Sequence, residues 1–334
     1  MSERPSVLFA LNPRHLPLLF PPDLMRRLTA VADIDPVVLA NPRDPEARSR
    51  LATAEVLISG WGCPPLTPEL LEAAPRLRTV LHTGGSVKYL IPGQGWDRGL
   101  AVSSAADANA LPVAEYALGM ILLAGKGVFD LRERYRAARG FVLGEVHPHV
   151  GNVGRRVGLI GASRVGRRLI ELLRPFDFDA VLHDPYVDEA EAARLGVRRA
   201  GLAELFRDSD IVSVHAPAVP GTHHMVDRAA LASMRDGAVL LNTSRGSLVD
   251  QDALTEELVS GRLRAILDVT EPEPLPPSSP LYDLPNVLLT PHIAGSQGNE
   301  LRRLGRTAVE ELELLVAGRP LRYRVERAEL DRAA

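Results

Sequence analysis

The stretch Arg156-Val157-Gly158-Leu159-Ile160-Gly161-Ala162-Ser163-Arg164-Val165-Gly166, closing downstream in Val181-Leu182-His183-Asp184, decides how the rest of the chain is read. Val157–Ile160 is a short apolar run suited to a strand buried on both faces. Gly161, Ser163 and Gly166 follow it directly. Val165, Leu169, Leu172 and Leu173 then recur at helical spacing until Pro175 ends the pattern. A second strand, Ala180–His183, delivers Asp184 eighteen residues after Gly166. Strand, tight turn, helix N-terminus, strand and terminal acid come in the order of a dinucleotide-binding unit. Gly161, Ser163, Arg164, Val165 and Gly166 are expected to meet a pyrophosphate, and Asp184 the adenosine ribose. Ser163 stands where a second glycine is usual. A glycine triplet alone would be explained by any tight turn; the register of all five parts favours the nucleotide.

Working outward, further strands are expected at Ile211–His215, Ala238–Leu241, Ala265–Val269 and Val287–Thr290, giving six in a doubly wound α/β sheet. Upstream, Val7–Ala10, Val56–Ser59, Thr79–His82 and Ala101–Ser103 predict a second, smaller, mostly parallel sheet with helices on its faces. No glycine fingerprint follows Val7–Ala10, so this region is not read as another nucleotide site. Asn109–Ala124 is apolar almost all round and is expected to be a fully buried helix. The tail after Arg322 is expected to fray. The boundaries predicted are 1–104 plus 297–334 for one domain and 105–296 for the other.

The 334 residues suit two domains, with 46% hydrophobic residues and a net charge of −3 that gives no electrostatic reason to expect nucleic acid or an anionic membrane as partner. Cys63 is the single cysteine, which excludes an intrachain disulfide and a thiolate metal cage. The N-terminus lacks the apolar core of a signal peptide, and no segment is expected to be long enough to cross a bilayer. The cytoplasm is the expected compartment.

Ligands of open parallel sheets sit outside the carboxyl ends of the strands. In the larger domain those ends carry Ala216-Pro217, Asn242-Thr243-Ser244-Arg245-Gly246, Asp268 followed by Glu271 and Glu273, and Pro291-His292. An arginine, acids and a histidine therefore face one cleft, with Pro217 and Thr243 expected on the cofactor side. Such a set suits hydride transfer at a hydroxy acid. Arginine forks onto a carboxylate, histidine gives and takes the hydroxyl proton near neutral pH, and an acid orients its ring. Singly, each residue is as well explained by a turn or a solvated loop. In the smaller domain, Gly84 and Gly85 lie on a loop whose backbone amides can face an anion, with an ordinary flexible turn equally consistent.

Asn242-Thr243-Ser244-Arg245-Gly246-Ser247-Leu248-Val249-Asp250, Leu267-Asp268-Val269-Thr270-Glu271-Pro272-Glu273-Pro274 and Leu289-Thr290-Pro291-His292-Ile293-Ala294-Gly295 together resemble the D-2-hydroxyacid dehydrogenase family. The resemblance spans nearly the whole chain and is strongest from Asn109 to Gly295. It implies a Rossmann-type NAD-binding domain inserted in a flavodoxin-like substrate domain that the C-terminal helix completes. It also implies a homodimer formed through the NAD-binding domain. Carried over, Arg245 would bind substrate carboxylate and carbonyl, His292 would be the acid/base, and Glu273 rather than Glu271 would orient it. Asp268 would sit by the nicotinamide carboxamide. The loop Thr83–Lys88 departs from the family's usual Gly-x-Gly-x-Asp sequence, so the resemblance leaves open which 2-hydroxy acid is used.

Other readings explain less. An NAD-sensing module like the family's corepressors would not need Arg245, Glu273 and His292, and a methyltransferase leaves that set unexplained. His147, His149, His223 and His224 lack a third ligand at sensible spacing, so no metal site is expected.

Overall fold

Side chains alternate across a strand, and that alternation sorts this chain into layers. The computed structural model describes residues 4–39, 45–140 and 150–330. It divides into two compact units, Met1–Ala110 with Ser296–Ala333, and Leu111–Gly295.

In the first unit, β1 (Ser6–Ala10), β2 (Asp33–Val38), β3 (Val56–Ser59), β4 (Thr79–His82) and β5 (Ala101–Ser104) pair in parallel in the order β2-β1-β3-β4-β5. Val7, Phe9, Val56, Ile58 and Leu81 enter one apolar cluster, while Leu8, Leu57, Val80 and Val102 enter the other. The helix Leu301–Val316 closes the first cluster with Leu301, Leu304, Ala308 and Leu312. It lies so close to the backbone at Leu19 that a Cβ on Gly305 would stand 1.8 Å from the Leu19 carbonyl oxygen. Arg27 forks onto Glu313 at 2.8 and 2.9 Å, fixing the same helix to Pro22–Val31.

The second unit holds β6 (Arg156–Ile160), β7 (Asp179–His183), β8 (Arg198–Arg199), β9 (Ile211–Val214), β10 (Val239–Asn242), β11 (Arg264–Leu267) and β12 (Val287–Leu289). Their order is β12-β11-β10-β9-β6-β7-β8, parallel throughout. The winding reverses between β6 and β9, the point at which such sheets open a crevice for a ligand. Both sheets are parallel α/β sheets, and the second has Rossmann order.

Five features differ from the sequence expectations. β2 goes unseen because Asp33, Asp35 and Pro36 break its apolar pattern; it is an edge strand, where a missing N–H is tolerated. β8 is only a two-residue edge. The helix Ala106–Gly125 is not buried all round: Ala114, Ala117 and Ile121 are in the core against Val157 and Leu159, while Leu123 is 38% exposed. By length and composition this helix could span a bilayer, contrary to expectation, yet its inner face packs on β6. The tail does not fray from Arg322 to Leu330. Val325 N donates to Val102 O at 2.8 Å, Ser103 bridges Arg324, and buried Glu311 accepts from the Arg322 and Tyr323 amides at 3.0 and 3.2 Å.

Candidate active site

The turn after β6 is built by what glycine lacks. Gly161 has φ +98°, and a Cβ there would stand 2.7 Å from Ala216 N at the end of β9. A Cβ on Gly166 would stand 2.1 Å from Gly161 O, so only glycine lets the helix Arg164–Leu173 start so close to the strand. Ser163 is the N-cap of that helix; its Oγ accepts from Gly166 N at 3.4 Å. Asp184 Oδ2 accepts from Ala162 N at 2.7 Å and Oδ1 from Tyr186 N at 2.8 Å. The terminal acid of the motif thus also braces the turn. After β10, two strands from β6 at the same carboxyl edge, Thr243 Oγ1 is buried with no partner among the described residues. A side-chain-free cradle, a helix N-terminus, a carboxylate and an orphaned hydroxyl fit the phosphates and ribose of a dinucleotide.

At the ends of β10, β11 and β12 the polar residues are held by their own loops. Buried Asn242 donates to Arg245 O at 2.9 Å and accepts from Ser244 N at 3.0 Å, which shapes the turn presenting Arg245. Gly246 packs so tightly on the Thr270 carbonyl that a Cβ would stand 2.0 Å from its oxygen. Half-buried Arg245 donates to Ser244 O at 2.7 Å and has no acidic partner among the described residues. Glu273 Oε1 lies 2.7 Å from His292 Nδ1, whereas Glu271 reaches His224 at 3.4 Å. The Glu273–His292 bond leaves Nε2 as the ring's outward nitrogen. His292 has φ +54°, a left-handed conformation costing a non-glycine residue roughly 1–2 kcal/mol. It is held by its amide donating to Asp268 O at 3.0 Å, and by the Asp268 carboxylate accepting from Ile293 N at 2.8 Å and Ala294 N at 2.9 Å. Asp268 is 2% exposed; its carboxylate also accepts from Thr290 Oγ1 at 2.6 Å, and its amide donates to Asn242 O at 3.0 Å.

In the first unit, Gly84 and Gly85 follow β4. A Cβ on Gly84 would stand 2.4 Å from His82 Nε2, so the loop rests on a buried imidazole that Ser59 Oγ meets at Nδ1, 3.0 Å away. Burial pushes His82 down to about 4, and it is a neutral support at physiological pH. The sequence places His82 and Asn242 at the carboxyl ends of strands but assigns neither a role.

His223 and His224 do have a third potential ligand, Glu271, contrary to the sequence expectation. The two rings stack at 3.9 Å with planes 24° apart. In-plane lone pairs on stacked rings do not converge on one ion, so this cluster is not arranged as a metal site. His147 and His149 lie outside the described residues.

A Rossmann-order sheet with this turn and these strand-end groups defines a dinucleotide-binding α/β protein. The model for the D-isomer specific 2-hydroxyacid dehydrogenase NAD binding domain matches residues 118–294, more than half of the chain. The chain belongs to the D-2-hydroxyacid dehydrogenase family, and its cofactor is a nicotinamide dinucleotide. It is 34% identical over 255 residues to D-3-phosphoglycerate dehydrogenase of Mycobacterium tuberculosis, covering 75% of this chain and 47% of that protein. It is 31% identical over 259 residues to hydroxypyruvate reductase of Thermotoga maritima, covering 74% and 80%. The chain spans about half the length of the phosphoglycerate dehydrogenases it matches. Among solved structures, a phosphoglycerate oxidoreductase from Rhizobium etli superposes with TM-score 0.79 at 28% identity, over 97% of this chain and 99% of that one.

Proposed function

We propose that this protein is an NAD-dependent oxidoreductase that interconverts a D-2-hydroxy acid and its 2-keto acid. The observation that carries the reading is the Glu273–His292 pair at 2.7 Å, in the same unit as an arginine with no acidic partner among the described residues. Gly161, Ser163, Arg164, Val165 and Gly166 are assigned to the pyrophosphate, Asp184 to the adenosine ribose, and Pro217, Thr243 and Asp268 to the cofactor's remaining length. The bound nicotinamide supplies or takes up the hydride. Arg245 forks onto the substrate carboxylate and fixes which face of the carbonyl is offered. His292 gives a proton from Nε2 to the carbonyl oxygen in reduction and takes it back in oxidation. Glu273, bonded at Nδ1, holds the ring's tautomer and stabilises the imidazolium. Gly84 and Gly85 are assigned to anion binding through backbone amides.

Small 2-hydroxy or 2-keto acids are the substrates this chemistry fits. The half-covered helix Ala106–Gly125, with Leu123 and nearby Val128 exposed, supports a homodimer through the second unit. The cytoplasm is kept as the default compartment, and the net charge of −3 gives no electrostatic reason for nucleic-acid or membrane partners.

Purified protein mixed with NADH and a panel of 2-keto acids should lose cofactor absorbance with at least one of them. Tight NADH binding with no turnover across a broad panel would replace this reading with that of an NAD-sensing module.

A further inference from the structure

The clamp on the His292 turn extends two residues beyond Asp268. Thr290 Oγ1 lies 2.6 Å from Asp268 Oδ1, and the Tyr116 hydroxyl lies 2.8 Å from Thr290 Oγ1. Thr290 has one hydroxyl proton, and it goes to the carboxylate. The bond to Tyr116 must then use Thr290 as acceptor, so the phenol donates. The protons of the chain Tyr116, Thr290, Asp268 are thereby ordered in one direction. Tyr116 suits a permanent donor. Burial raises its pKa, and of the smaller influences the Thr290 bond opposes this while the Asp268 charge adds to it.

We propose that Tyr116 is a positioning residue for His292, acting through Thr290 and Asp268 to hold the left-handed turn that carries the imidazole. The inference rests on the reading of His292 as the acid/base. Its geometry is independent of that reading. Asp268 grips the turn on both sides of His292, through Thr290 before it and the Ile293 and Ala294 amides after it. A threonine whose hydroxyl had no donor could rotate away from Asp268. Tyr116 removes that freedom from a residue of the long helix Ala106–Gly125, which is itself anchored in the core by Ala114 and Ala117.

Three variants test this: Tyr116→Phe, Thr290→Val and Thr290→Ser. Loss of one or two hydrogen bonds in a cooperative chain should lower kcat about three- to tenfold for Tyr116→Phe and about tenfold or more for Thr290→Val. Thr290→Ser keeps the hydroxyl and should stay near the parent. NADH affinity should change much less than kcat in all three, because Asp268, the one member of the chain assigned to the cofactor, is itself unaltered and keeps its bonds to the Ile293 and Ala294 amides. The double variant Tyr116→Phe/Thr290→Val should be no slower than Thr290→Val alone, since both remove one chain. A second readout needs no turnover. Amide exchange at Ile293 and Ala294 should speed up in Tyr116→Phe and more so in Thr290→Val. Unchanged exchange at both amides overturns the clamp, whatever the protein's activity. An active parent matched in kcat by Tyr116→Phe overturns this inference and leaves the proposed function standing. An inert parent whose Tyr116→Phe and Thr290→Val variants exchange these amides faster overturns the proposed function and leaves the clamp standing.

Discussion

Arg245 offers a guanidinium that no acid among the described residues neutralises, and that makes the choice of arginine testable. Lysine at 245 would keep the charge and lose the paired hydrogen bonds that orient a carboxylate. Arg245→Lys should lower kcat/KM for 2-keto acids by roughly two orders of magnitude, the cost of misaligned substrate, with NADH affinity nearly intact. A lysine variant close to the parent would place the carboxylate elsewhere. His292→Ala should lower kcat by about 10²–10⁴-fold, the usual share of general acid–base catalysis, again sparing NADH binding. Glu273→Gln should retain part of the activity, while Glu271→Gln, whose partner is His224, should be nearly silent in the same assay. On the proposed assignment, the Asp184 carboxylate, braced by two backbone amides, would meet the ribose hydroxyls and repel an added phosphate. Steady-state assays should therefore show a clear preference for NAD over NADP.

Among the elements, the helix Arg164–Leu173 shows how a departure from a motif is absorbed. Ser163 occupies a glycine's place, and as N-cap it uses its oxygen to accept from Gly166 N, which leaves its hydroxyl proton for a phosphate. Ser163→Gly should change NADH affinity and stability only slightly, because glycine is a fair cap. Ser163→Val removes cap and donor together, costing about 1 kcal/mol of stability. It should also weaken NADH binding in calorimetry, with the melting temperature recorded beside it to separate the two losses. Undiminished affinity in the valine variant would mean that the pyrophosphate does not pass this residue. The same helix and its flanking strands were legible in the sequence because strands buried on both faces are unbroken apolar runs and the turn requires glycine. β2 was not legible, since an edge strand accepts Asp33, Asp35 and Pro36 that a central one would reject. Strand-end position brought Arg245, Asp268, Glu273 and His292 forward. Tyr116 was hidden, because it sits mid-helix among apolar residues and its partner is 174 positions away.

At the scale of the whole molecule, His82 in the first unit and His215 in the second are the buried histidines among the described residues, and burial pushes both from 6.5 to about 4. An unfolded imidazole takes its proton as pH falls through about 6.5, and these two resist until about 4. Their contribution is complete above about pH 6.5 and is lost as pH falls from there towards about 4, to the extent of roughly 3 kcal/mol each. Urea midpoints should drop steadily between pH 7 and pH 5, and His82→Gln or His215→Gln should flatten that slope. A parent midpoint that is level over this range would contradict the burial of both rings. The tail from Arg322 to Leu330 escaped the sequence reading for a reason of the same scale. Its charged residues look solvated, and only the distant edge of β5 and the Glu311 carboxylate reveal what Val325 and the amides of Arg322 and Tyr323 bind.

The first unit is assembled from both sides of the second in sequence, and this sets an order of events on the ribosome. Residues 1–110 emerge before the second unit, but the cluster around Val7, Phe9 and Ile58 is closed by Leu301, Leu304, Ala308 and Leu312, which emerge only after it. Throughout synthesis of residues 111–295 the nascent sheet presents an uncovered apolar face, the kind of surface that chaperones hold and that aggregates when they do not. The second unit has no such wait, for its core is drawn from a continuous run of chain. Arrested chains ending at residue 295 should accordingly already bind NADH while their first 110 residues stay sensitive to protease.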